Sequence, residues 1–120
     1  MKKGRDYVMF LEDIIGSAEK IAEYTKGITV ENFLVNEQTK DAVIMRIQII
    51  GEAVKNLPAD LKRKHTEIDW KKVIKLRNIF IHDYFGINCR RLWKTAKVEI
   101  PDLNEKIVKI LENFKVNKLI

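Results

Sequence analysis

Wherever the chain runs long enough to hold an element, its apolar residues fall three and four apart, and no stretch alternates them convincingly at every second position. That spacing lines one side of an α-helix, whereas a half-buried strand needs a period of two. The chain is therefore expected to pack helices against helices. From Tyr7 to Ala22 the stripe is Tyr7, Leu11, Ile14, Ile15, Ala18, Ile21 and Ala22, with Asp6, Asp13, Lys20 and Glu23 on the other face. Gly27 suits the stop, because glycine accepts the left-handed backbone that ends helices.

The next stretch, Thr29 to Gln38, is short and mixed. Asp41 to Leu57 is so densely apolar that Ala42, Met45, Ile49, Ile50, Ala53 and Leu57 mark only its strongest line, which suggests a central helix. Pro58 would break that helix but fits the first turn of a new one running through Leu61 toward His65. Thr66 to Asp69 reads as a connection with Asp69 as N-cap, followed by a helix from Trp70 to about Phe85 that Gly86 ends. Asn88 is placed to cap a further helix through Trp93 toward Ile100, where Pro101 marks a break or kink. The last helix carries Leu103, Ile107, Ile110, Leu111 and Phe114. The expected architecture is all-α, an up-and-down bundle of about five to six helices forming one domain over residues 1–120.

A hydrophobic share of 46% and a charged share of 33%, spread without a low-complexity block, exclude the disordered and fibrous classes. The formal net charge of +6 favours an anionic partner without naming one. Cys89 is the only cysteine, so no intrachain disulfide can form, and charges interrupt the apolar run of MKKGRDYVMFLEDI before a signal peptide or membrane span develops. A cytoplasmic location with no membrane association is the expectation. His65, His82 and Cys89 share no ligand spacing and no glycine-rich phosphate loop occurs, so neither a metal nor another cofactor is expected.

Chemistry concentrates in the helix from Trp70. At about 100° per residue, Val73, Ile74, Leu76, Phe80, Ile81 and Phe85 form a broad apolar arc, and Arg77 and Tyr84, two turns apart, sit in its middle. An arginine on such a face must be paired or must await an anion. Asn78 and His82, at i and i+4, stack on a different flank near Lys71 and Lys75. Cleaving RNA through its own 2′-hydroxyl needs a group that moves a proton near neutral pH and a cation that holds the phosphorane charge. Histidine suits the first task, and the planar arginine fork suits the second. Asn78 could orient the imidazole or a phosphate oxygen.

The run Arg77-Asn78-x-x-x-His82-x-Tyr84 matches the RNxxxHxY signature of HEPN ribonucleases at all four named positions. Ile49-Ile50-Gly51-Glu52-Ala53 and the stretch from Trp70 to Tyr84-Phe85-Gly86 further resemble the HepT subfamily, the toxin half of toxin–antitoxin pairs. The resemblance implies a homodimer whose two motif helices meet at a cleft, and a metal-independent endoribonuclease with Arg77 and His82 catalytic and Asn78 and Tyr84 in support. It also implies a partner, a minimal nucleotidyltransferase of the MntA type, that neutralises the toxin by transferring AMP to Tyr84. RNA, not DNA, is the substrate it implies.

Arg90, Lys94 and Lys97 form a basic ridge after the motif helix that could track an RNA backbone, with Arg91 alongside; a solvated helix face explains them equally well. Trp70 and Trp93 could stack bases but read as core or interface residues and are left out of the site. Arg46 is either an ion-paired interior arginine or a second cleft cation, and Glu52 pairs with Arg46 or with Arg77. Two rival readings stand beside the endoribonuclease: a non-catalytic binding or substrate partner of a nucleotidyltransferase, and a purely structural interaction domain.

Overall fold

The computed structural model describes residues 3–82 and 88–119, with side chains described over 7–81 and 88–116. Within them the chain is all helix: α1 Lys3–Thr25, α2 Val30–Val35, α3 Glu37–Asn56, α4 Ala59–Lys64, α5 Trp70–His82, α6 Cys89–Lys94 and α7 Ile100–Leu119. The expected all-α bundle is thus what forms. The mixed stretch from Thr29 holds a helix that its spacing did not announce, because α2 is a six-residue turn set by capping and one anchor. Thr29 accepts the Asn32 N–H at 3.1 Å, and Phe33 is fully buried.

The helix boundaries follow local chemistry. Gly27, at φ 75°, turns the chain out of α1. Asn36 starts α3 by accepting the Thr39 N–H at 3.0 Å, and Asp69 starts α5 by accepting the Lys72 N–H at 3.1 Å. Replacing such a cap by alanine costs about 1 kcal/mol. Asn36→Ala is expected to lower the thermal midpoint by ~4 °C without changing helical content, as read by circular dichroism. Trp70 joins neighbouring elements: its indole N–H donates to the carbonyls of Lys62 at 3.1 Å and His65 at 3.0 Å, at the C-terminal end of α4 and its cap.

Packing sets which apolar residues count. α3 lies against both α1 and α5, and α7 packs on α1. Leu11, Ile14 and Ile21 of α1 meet Val43, Ile47, Ile50 and Val54 of α3, with Phe80 of α5 and Ile107 of α7 completing the buried centre. The strongest line expected on α3 is corrected in one respect, because Met45 is 59% exposed and Val43, Ile44 and Ile47 are buried in its place. A helix apolar around most of its girth offers several usable faces, and its neighbours choose among them. Ala22 of the α1 stripe likewise ends exposed.

The break or kink expected at Pro101 takes the form of an irregular turn just before it, through which the chain stays helical. Residues Thr95–Glu99 form a π-helical turn that joins α6 to α7, with the Ile100 N–H reaching back to the Thr95 carbonyl. Proline lacks an N–H and its ring crowds the carbonyl four residues earlier, so the wider turn accommodates Pro101 while the chain stays helical. Lys97 leaves this turn to reach the end of α1, where its ammonium donates to the Thr25 carbonyl at 3.3 Å and lies 5.3 Å from the centre of the Trp93 ring. A cation is favoured there by the helix dipole. No described helix is long and apolar enough to cross a membrane.

Candidate functional site

The motif helix α5 buries Trp70, Leu76 and Phe80 and half-buries Val73, Ile74 and Ile81, so the apolar arc read from its spacing is the face it turns to the bundle. Arg77 lies within that arc with its side chain only 17% exposed. Two acceptors hold its guanidinium. One terminal nitrogen, Nη1, donates to Asn78 Oδ1 at 2.8 Å, and the other, Nη2, makes an ion pair with Glu52 Oε1 of α3. The third nitrogen, Nε, is buried with no hydrogen-bond partner among the described residues. Between the open choices for Glu52, the structure pairs it with Arg77; Arg46 is half-buried and makes no ion pair among the described residues.

Gly51, which the sequence offered only as part of a family resemblance and without a role, explains how Arg77 comes so close to α3. A Cβ built on Gly51 would lie 2.4 Å from Arg77 Cγ and 2.6 Å from its Cβ, far inside normal contact. Glycine is therefore required where the arginine stem crosses α3. The signal was present as a glycine inside a helix, which costs about 1 kcal/mol relative to alanine and so calls for a packing reason.

Asn78 accepts from Arg77 through its carbonyl oxygen, and its amide nitrogen supplies N–H donors to this flank. Its side chain, Lys71 and Lys75 share the rim of an open depression with Ile74 and Ile79, so the structure brings these three polar residues to one flank. His82 is the last described residue of α5, one turn beyond Asn78. The side chain of His82, all of Tyr84 and the expected stop at Phe85-Gly86 lie outside the described residues. Arg90 and Lys94 are exposed on α6, which packs against α2, whereas Lys97 is engaged with α1 as described above. Trp93 packs against Phe33, ring centres 5.0 Å apart. Among the described residues no group of three His, Cys, Asp or Glu side chains could hold a metal ion.

The opposite flank of α5 bears on a cavity of about 230 Å³ with an apolar floor that includes Ile47, Ile50 and Leu76. At its edge Glu99 receives both terminal nitrogens of Arg91, the Thr95 hydroxyl at 2.8 Å and the Lys72 ammonium at 3.1 Å. Burial would raise the Glu99 pKa, but these donors, Arg91 foremost, overcome it and hold the carboxyl at about 2. The Arg91 guanidinium is in turn held above its usual value by its bonds to Glu99, against the opposing effect of its own burial. A carboxyl whose folded pKa lies below its unfolded value stabilises the protein above the unfolded pKa and loses that contribution as pH falls. The bracing of α5 against α6 by Glu99 is therefore expected to weaken from about pH 4.5 down to about pH 2. Acid titrations of wild type and Glu99→Gln followed by circular dichroism should diverge above that window and converge below it.

Comparison with known proteins matches most of the chain. The family described as Ribonuclease HepT-like matches residues 14–110, a span that contains Gly51, Glu52 and the whole RNxxxHxY run. The "Probable ribonuclease HepT" of Thermococcus cleftensis is 46% identical over 106 residues, covering 88% of this chain and 96% of its own length. The "Putative RNase TTE0752" of Caldanaerobacter subterraneus is 40% identical over 115 residues, covering 96% of this chain and 100% of its own. In Methanocaldococcus jannaschii, "Gamma-glutamylcyclotransferase and putative RNase MJ0434" is 43% identical over 114 residues; the chain covers 51% of that protein, about half its length. No solved structure matches significantly.

Proposed function

The chain belongs to the HepT-like ribonuclease family, and from that premise we propose that it is a metal-independent endoribonuclease in which Arg77 and His82 are catalytic and Asn78 and Tyr84 support them. The observation that carries this reading is the clamped guanidinium. A terminal nitrogen carries two N–H groups, and Nη1 and Nη2 each spend one on an acceptor among the described residues, so that within this set one donor on each is left to meet two phosphate oxygens.

In the proposed reaction the 2′-hydroxyl loses its proton and its oxygen attacks the adjacent phosphorus. The bond to the 5′-oxygen breaks, and that oxygen leaves with a proton. The products are a 2′,3′-cyclic phosphate and a 5′-hydroxyl. Arg77 stabilises the charge that gathers on the phosphoryl oxygens, and His82 serves the proton transfers as base, acid or both. Lys71, Lys75, Arg90 and Lys94 extend positive charge along the substrate, with Lys97 contributing from its seat on α1. The test is incubation of the purified protein with total cellular RNA in EDTA. Fragments ending in cyclic phosphate are the expected result; intact RNA, or fragments that appear only when a divalent metal is restored, would sink the reading.

The reading extends to a homodimer and a cytoplasmic toxin of the HepT and MntA type. Exposed Met45 and Ile79 lie on the helices that carry Glu52 and Asn78, and a second copy pairing there would cover apolar surface beside the basic flank. Neutralisation is AMP transfer from ATP to the Tyr84 hydroxyl by a minimal nucleotidyltransferase, with pyrophosphate leaving. It would add bulk and negative charge two residues from His82. Mass spectrometry of the Tyr84 peptide after co-expression with such an enzyme should show added AMP, and an unmodified peptide would remove this part of the proposal.

A further inference from the structure

The contact between Arg77 and α3 supports more than an ion pair. A guanidinium at the end of four rotatable bonds does not hold one orientation unaided. Here its stem is confined where it crosses Gly51, which leaves no room for a Cβ beneath Arg77 Cβ and Cγ. Its head is then caught from two sides, by Asn78 of its own helix and by Glu52 of α3, 25 residues away in sequence. We propose that Glu52 is a positioning residue of the phosphate site, holding the Arg77 fork in the orientation in which its remaining donors face the scissile phosphate. The inference rests on the ribonuclease reading above.

An opposite role would make Glu52 a plug that occupies the seat of the phosphate. The geometry favours positioning. Only Oε1 of Glu52 meets Arg77, and it meets a single nitrogen, whereas a plug of the phosphate seat would span both terminal nitrogens as a phosphate does. The Glu52 side chain is about half exposed, 47%, so it reaches the guanidinium from the solvent side and is not sealed into a phosphate seat. Arg77 Nε is buried and has no hydrogen-bond partner among the described residues, so within this set the two terminal nitrogens alone fix the fork.

If position is what Glu52 supplies, an acceptor oxygen without charge should suffice. Glu52→Gln is expected to keep kcat within a few-fold of wild type, with KM unchanged or lowered because a negative charge near the substrate is gone. Glu52→Ala is expected to lower kcat by about 10- to 100-fold with little change in KM. A readout independent of cleavage is the ¹H–¹⁵N signal of Arg77 Nε–H, identified by its disappearance in Arg77→Lys. It should be sharp and slow to exchange in wild type and in Glu52→Gln, and broadened or fast-exchanging in Glu52→Ala, with circular dichroism spectra superimposable throughout. An Ala variant with wild-type kcat and a wild-type Nε–H signal would overturn the proposal, and an Ala variant faster than wild type would establish the plug instead. If wild type leaves RNA intact, it is the ribonuclease reading that fails, and the Nε–H signals alone then show whether Glu52 holds Arg77.

Discussion

Arg77→Ala is expected to lower the rate of RNA cleavage by about 10²- to 10³-fold, the usual loss when a preorganised group that meets developing charge is removed. His82→Ala is expected to cost about 10²- to 10⁴-fold through the loss of positioned proton transfer. Arg77→Lys should recover little, because an ammonium keeps the charge but loses the planar fork that Glu52 and Asn78 clamp. Stability should move far less than activity. Removing Arg77 deletes an Nε that is buried without a partner among the described residues, a kind of group that costs about 1–3 kcal/mol, and it forfeits the packing of the stem and an ion pair whose carboxylate is half in water. These effects oppose one another, so the thermal midpoint of Arg77→Ala should stay within a few degrees of wild type. Cleavage measured on fixed RNA, beside a melting curve, checks both halves. A variant that cleaves normally would remove Arg77 from the site, and one that no longer folds would make it a structural arginine.

Gly51→Ala is expected to abolish most cleavage and to destabilise the fold together. In an exposed helix the same change would stabilise by about 1 kcal/mol, since alanine is the better helix former. At this crossing the new methyl meets Arg77 Cγ at 2.4 Å and Cβ at 2.6 Å, and the second of these atoms is not the free end of a flexible chain. Either α3 and α5 part, or Arg77 leaves its seat. Overpacking of this kind costs about 1–3 kcal/mol, which outweighs the propensity gain. Displacing the fork by about 1 Å is enough to lose cleavage on the order of 10²-fold. The double variant Gly51→Ala with Arg77→Ala should regain part of the lost stability and none of the activity, a non-additive pattern that two contacting residues produce. A Gly51→Ala protein that melts higher than wild type and cleaves normally would show that α5 does not depend on this close approach.

Much of this was legible in the residue order because the relevant signals are local. The spacing of Leu11, Ile14, Ala18 and Ile21 names a helix and its buried side within one element, and Asn36, Asp69 and Asn88 cap helices through bonds to residues three positions on. Arg77, Asn78 and His82 are related by helical geometry alone, so their relative placement needed no knowledge of neighbours. Other features were hidden for a physical reason. α2 is too short for periodicity to register, and the π-turn before Pro101 is a local rearrangement that a strict 3.6-residue wheel does not anticipate.

What residue order established, then, is an all-helical chain of the HepT-like ribonuclease family carrying an arginine on an otherwise apolar arc, because periodicity, caps and a motif within one helix depend on residues a few positions apart. Which carboxylate meets that arginine, why residue 51 must be glycine, which side of α3 is buried and why Lys97 is drawn to the end of α1 were settled by the packing of helices. Each depends on how elements distant in sequence cross, and the crossing is chosen by the joint fit of all their side chains, which no single helix encodes.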